Sequence, residues 1–140
     1  MPESHSVIRI AAGLLVDRTG RMRVVRKRGT LAFIQPGGKI EPSEAPVGAL
    51  VRELHEELGL VVAPSHATYI GRFRAPAVNE PGRTVEADLF RVHVEQALTP
   101  GAEIDQLAWI DPSIPTDLPL ATLTRDFILP LHASSAHSGT

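Results

Sequence analysis

Glu53, Glu56 and Glu57 sit at spacings of three, four and one in a leucine-rich stretch. On an α-helix, residues three and four apart are neighbours, so these carboxylates would share one face. Like charges at that spacing cost an isolated helix roughly 0.2–0.5 kcal/mol per pair, and helix stability gives no reason to gather them. A divalent cation supplies a reason. Carboxylate oxygens are hard donors suited to magnesium or manganese, and magnesium commonly combines a few carboxylates with waters and substrate phosphates. Taken alone, the stretch also reads as a solvated acidic face partly paired by Arg52.

The elements that must position these groups are marked by punctuation and periodicity. Val47, Leu50, Val51, Leu54 and Leu58 recur at helical spacing, and Gly59 suits a left-handed cap. Ser43 is the expected N-cap, Glu44 suits the positive end of the helix dipole, and Pro46 fits a first turn, so the helix is expected over Glu44–Leu58. Before it, the short apolar run Leu31–Ile34 stops at Pro36-Gly37-Gly38, which favours a tight loop with exposed backbone. Val7–Val16 and Arg21–Arg28 read as a hairpin around Asp17–Gly20. Thr68–Arg74 and Thr84–Glu95 read as a second antiparallel pair around a mobile loop, and Gln106–Ile110 as a short strand. Ala121–Leu129 is expected to be a closing helix stopped by Pro130. These elements form one domain over residues 1–132, with 133–140 as a small, polar, frayed tail.

The order of residues is more specific than any single feature. Gly38 is followed by five residues and Glu44, then by seven residues and Arg52-Glu53-Leu54-His55-Glu56-Glu57-Leu58-Gly59-Leu60. This resembles the Nudix box at every defining position, with aliphatic Leu54 and Leu60 where the pattern asks for them. The resemblance implies an α/β (α+β) Nudix fold, a mixed sheet sandwiched between helices, with the box forming a loop, helix and loop. It also implies a pyrophosphohydrolase that cleaves nucleoside diphosphates linked to another moiety, using magnesium or manganese. Carried over by position, Glu56 and Glu57 bind the metal and Glu53 binds metal or activates water. Arg52 orients a neighbouring carboxylate, Glu44 supports the site, and the Gly38 carbonyl completes the coordination.

Composition narrows the alternatives. Hydrophobic residues make up 43% and charged residues 21%, ordinary globular usage, and the net charge of −2 argues against a protein that coats nucleic acid. No stable nucleic-acid partner and no membrane association are expected, and the polar start Met1–Ser6 points to a cytoplasmic location. With no cysteine, any metal must use oxygen or histidine. The histidines show no compact ligand spacing and receive no chemistry.

Outside the box, Glu80, Glu86 and Glu103 are candidates for a further ligand or base, each with a surface acid as its plainer reading. Arg9, Arg26, Arg72 and Arg74 are candidates for phosphate contacts, or for a solvated strand face. Phe33, Tyr69, Phe73, Phe90 and Trp109 are candidates for stacking on a base, with core packing as the default. The leading substrate is a nucleoside triphosphate, as in the MutT-like branch. ADP-ribose or a nucleotide sugar is the alternative, with Pro76 as its hint, and a nucleotide-sensing module without catalysis is a third reading that the intact carboxylates disfavour.

Overall fold

The computed structural model describes residues 7–77 and 80–138, without the side chains of 135–138. The polar start Met1–Ser6 with its His5, Val78 and Asn79 of the expected mobile loop, and the last two residues of the tail lie outside the described residues.

A six-stranded mixed sheet forms the centre. β1 (Val7–Val16) lies between β5 (Thr84–His93), which it pairs in parallel, and β2 (Met22–Lys27), which it pairs antiparallel. β4 (Ala67–Pro76) extends the sheet beyond β5, and β6 (Ile104–Ile110) extends it beyond β2. The three-residue β3 (Gly37–Lys39) pairs with the first half of β1. β1 is nearly continuous in apolar residues because both its faces are covered, so no polar alternation is required.

One face of the sheet, carrying Ala11, Leu15, Val25, Phe90 and Val92, packs against Leu50, Leu54 and Leu58 of helix α1 (Pro46–Leu58). The other face, carrying Ala12, Leu14, Val24, Ala87 and Leu89, is closed by Leu123 and Ile128 of a C-terminal helical segment. The expected sheet between helices is therefore present.

Three local expectations are corrected. α1 starts at Pro46 with Ala45 as its N-cap and no side-chain cap, in place of Ser43. Pro46 has no N–H to satisfy and its ring presets the helical φ, while Glu44 is turned toward Arg52. Pro36-Gly37-Gly38, expected as a tight loop with exposed backbone, instead enters β3 at Gly37 and pairs with β1, with Pro36 and Gly37 buried. Pro130 does not end the closing helix. Leu123–Ile128 winds as a π-helix, and α2 (Leu129–Ser138) continues from it. The Leu129 N–H bonds back to Thr124 O, and this wider turn shifts the hydrogen-bond frame just before a residue that has no N–H to give.

Candidate active site

Two glycines bring the loop onto the helix. Gly37 has φ 142°, and a Cβ there would collide with the Ala11 carbonyl oxygen of β1. Its backbone N–H donates to Glu57 Oε1 at 3.2 Å. Gly38 lies directly against the Glu53 carboxylate, in the space that a side chain at position 38 would fill. The helix ends at Gly59, φ 64°, whose N–H bonds to His55 O. This left-handed cap is the one expected at that residue.

Arg52 joins the loop to the helix. Its Nε and Nη2 donate to the two carboxylate oxygens of Glu44 at 2.8 and 2.9 Å, and its Nη1 donates to Glu53 Oε2 at 2.9 Å. Nη2 also reaches Lys39 O at 3.2 Å. This fork holds the Glu44 carboxyl down at about 2, helped by the Glu41 N–H.

Glu53, Glu56 and Glu57 face one cleft of about 480 Å³ whose wall also includes Gly38. Of the three outlying acids, only Glu103 lines this cleft. Glu86 is ion-paired with Arg9, Arg72 and Arg74, and Glu80 pairs with Arg83. Glu57 is buried, and that burial pushes its carboxyl up to about 7 despite the Gly37 N–H and Lys27, whose Nζ is 3.8 Å from Oε2. A buried acid facing three others in an all-oxygen donor set fits a hard divalent cation, which would restore the charge balance. Among the described residues, no three acidic or histidine side chains converge on one point as a preformed cation site. Magnesium does not require such convergence, because it retains waters and accepts phosphate oxygens as ligands.

The candidate phosphate-binding arginines are engaged elsewhere. Arg9, Arg72 and Arg74 surround the buried Glu86 and Asp88, and Arg26 pairs with Asp105. The positive groups in the cleft are instead Lys27 and Lys39. Lys27 belongs to the basic run Arg21, Arg23, Arg26, Lys27 and Arg28, which reads as a local basic patch or, more plainly, as a solvated strand face, and the one signal for Lys39 is its place beside Gly38. The candidate stacking residues also lie elsewhere. Phe33 and Phe90 are in the core, Tyr69 packs edge-on to Phe90, Phe73 meets Phe127, and Trp109 lies under Arg23 with the guanidinium 3.9 Å from the ring centroid.

An apolar cavity of about 190 Å³ adjoins the cleft on the opposite face of the sheet from α1. Lys27, Gly38 and Lys39 line both spaces.

Over this whole arrangement, residues 7–129, the sequence matches the NUDIX domain family. The chain belongs to that family. Nudix relatives include the 8-oxo-dGTP diphosphatase of Haemophilus influenzae, 37% identical over 59 residues, a match covering 39% of this chain and 43% of that protein. The RNA pyrophosphohydrolase of Halorhodospira halophila is 30% identical over 118 residues, covering 70% of this chain and 63% of that protein. The chain thus spans less than two thirds of the length of either relative. The crystal structure of a MutT NUDIX hydrolase from Burkholderia pseudomallei shares the fold, with a TM-score of 0.73 at 22% identity over 90% of this chain and 97% of that one. Among the described residues, no helix is long and apolar enough to cross a membrane.

Proposed function

We propose that this Nudix chain is a pyrophosphohydrolase that cleaves a phosphoric anhydride bond in a nucleoside triphosphate or related nucleotide, with residues 1–132 acting as one catalytic domain. The observation that carries this reading is the shared wall of Lys27, Gly38 and Lys39 between a carboxylate-lined cleft and an apolar cavity. A nucleotide has the same division, a charged phosphate chain joined to a flat, largely apolar base.

Glu53, Glu56, Glu57 and the Gly38 carbonyl are the residues that would hold magnesium or manganese, with Glu103 as a further ligand from the loop before β6. A divalent cation bound there supplies charge neutralisation for the phosphates and acidifies a water. Glu53, held by Arg52 and pressed against Gly38, is positioned to take the proton of the attacking water. Lys27 and Lys39 neutralise phosphate oxygens, favouring departure of the anhydride oxygen as its bond to phosphorus breaks. Glu44 acts only through Arg52, whose fork fixes the position of the Glu53 carboxylate.

The test is hydrolysis in ¹⁸O-labelled water with magnesium and then manganese, followed by product mass. Glu56→Gln and Glu57→Gln are expected to lower turnover by more than about a hundredfold with the melting transition retained, since an amide is a poor ligand for a hard dication. Near-native turnover of both variants at limiting magnesium overturns the assigned metal site. Cleavage of ADP-ribose or a nucleotide sugar is the second reading, and its support is that Pro76 lines the apolar cavity.

A further inference from the structure

Beside Lys27 and Lys39, three polar side chains that the proposed hydrolysis does not use line the apolar cavity, and one of them, Glu80, is ion-paired with Arg83. The other two, Gln35 and Thr124, lie among Ile8, Ile10, Val85 and Leu123, and they are 6% and 1% exposed. Gln35 Nε2 donates to Gly13 O at 2.9 Å, which fixes the orientation of the amide, and Gln35 Oε1 is buried without a partner. Thr124 Oγ1 is likewise buried without a partner. A threonine in an α-helix commonly returns its hydroxyl to the carbonyl four residues earlier. Thr124 lies in the π-helical turn, its carbonyl accepts the Leu129 N–H, and its hydroxyl has no such bond. Buried polar atoms without partners are uncommon and costly, and two residues that carry them line one cavity, which points to a partner from outside the chain.

We infer that Gln35 and Thr124 read the edge of the nucleobase, with Gln35 Oε1 demanding an N–H donor and the Thr124 hydroxyl pairing with a neighbouring polar group on the same edge. This rests on the reading that the carboxylate cleft takes the phosphates, because the wall of Lys27, Gly38 and Lys39 then joins base to phosphate. The polarity follows from the fold. One N–H of Gln35 Nε2 is committed to Gly13 O of β1, so the amide cannot exchange the places of its oxygen and nitrogen without abandoning that bond. A base without an accessible N–H leaves the Gln35 oxygen unpaired and is rejected more strongly than a change of apolar bulk would achieve.

The test measures binding as well as turnover. Affinities of ATP, GTP, CTP and UTP with magnesium are determined by calorimetry for the whole chain, for Thr124→Val and for Gln35→Met. The analogue of the preferred nucleotide with its edge N–H replaced by N-methyl is measured beside them. The chain is expected to rank the four bases and to bind the methylated analogue about tenfold more weakly. In Gln35→Met the methylation penalty shrinks to within about twofold, and in Thr124→Val the ranking compresses, the signature of a lost pairwise contact. Thr124→Val is nearly isosteric and touches no structural hydrogen bond, so it carries the test if Gln35→Met fails to fold. An unranked chain, or a ranking and penalty unchanged in the variants, overturns the inference even where nucleotides are hydrolysed. Ranked binding that the variants abolish, without hydrolysis of any nucleotide, supports the inference and removes the hydrolytic reading.

Discussion

Glu57 is the residue on which charge, burial and hydrogen bonding compete most directly. Burial pushes its carboxyl from the ordinary 4.5 to about 7, with Glu53 and Glu103 adding to the rise. A group raised in the folded state contributes stability that is full below its unfolded value and is lost as pH rises through its folded value. The metal-free protein is therefore expected to lose up to about 3 kcal/mol between pH 4.5 and pH 8 from this one group. Chemical denaturation in a chelator at pH 5, 6, 7 and 8 measures it, and Glu57→Gln should flatten the slope. Glu44, held down from 4.5 to about 2, contributes stability that is lost as pH falls through that range, so its slope is largely confined below pH 5 and opposite in sign. The Glu57 carboxyl must lose its proton to bind a dication, so magnesium affinity is expected to rise across pH 5–8 and to rise less in Glu57→Gln. A flat denaturation profile in the unsubstituted protein would mean that Glu57 is ionised throughout, and the cleft would then be less in need of a cation.

At the scale of elements, the adjacent glycines of β3 serve different ends although the sequence offers them as one loop signal. A Cβ on Gly37 meets backbone, the Ala11 carbonyl oxygen, which has nowhere to move. A Cβ on Gly38 meets the Glu53 carboxylate, which is the end of a flexible side chain. Gly37→Ala is accordingly expected to destabilise the fold by about 1–3 kcal/mol or more through backbone strain. Gly38→Ala should melt close to the parent and lose turnover by about tenfold or more, with kcat falling further than KM rises, because Glu53 is pushed from its place. Thermal melts and steady-state kinetics on both variants separate the two, and a Gly38→Ala enzyme with full turnover would release Glu53 from its proposed role. The start of α1 had the opposite legibility. Ser43 carries the local signal for a cap, but Pro46 and the pull of Arg52 on Glu44, eight residues apart, decide the geometry, and only the formed helix brings Arg52 back against that loop.

For the molecule as a whole, the sheet, the helix carrying the carboxylates and their common cleft were legible because periodicity and the box spacing are local properties of the chain. What was not legible depends on which strands lie side by side. Arg9, Arg72 and Arg74 looked available for phosphate until β4, β5 and β1 aligned them with Glu86 and Asp88. Lys27 looked like a solvated strand end until the loop of β3 brought α1 against it, and Gln35 and Thr124 share a cavity because the closing helix covers the second face of the sheet. These placements also bear on the substrate. Among the described residues, every polar side chain in the cleft is charged, Lys27 and Lys39 against Glu53, Glu56, Glu57 and Glu103. Such a lining suits a chain of phosphates with cations and offers no neutral amide or hydroxyl side chain to a second sugar, while the apolar cavity of about 190 Å³ suits a single base. A nucleoside triphosphate is therefore expected to exceed ADP-ribose in kcat/KM by about tenfold or more, the difference arising from phosphate charge and unmatched ribose hydroxyls. Initial rates with both substrates in magnesium and then in manganese check the ranking. Efficient conversion of ADP-ribose to AMP with triphosphates untouched in either metal would reverse it, and would turn Pro76 at the cavity wall from a strand-ending proline into a determinant of substrate choice.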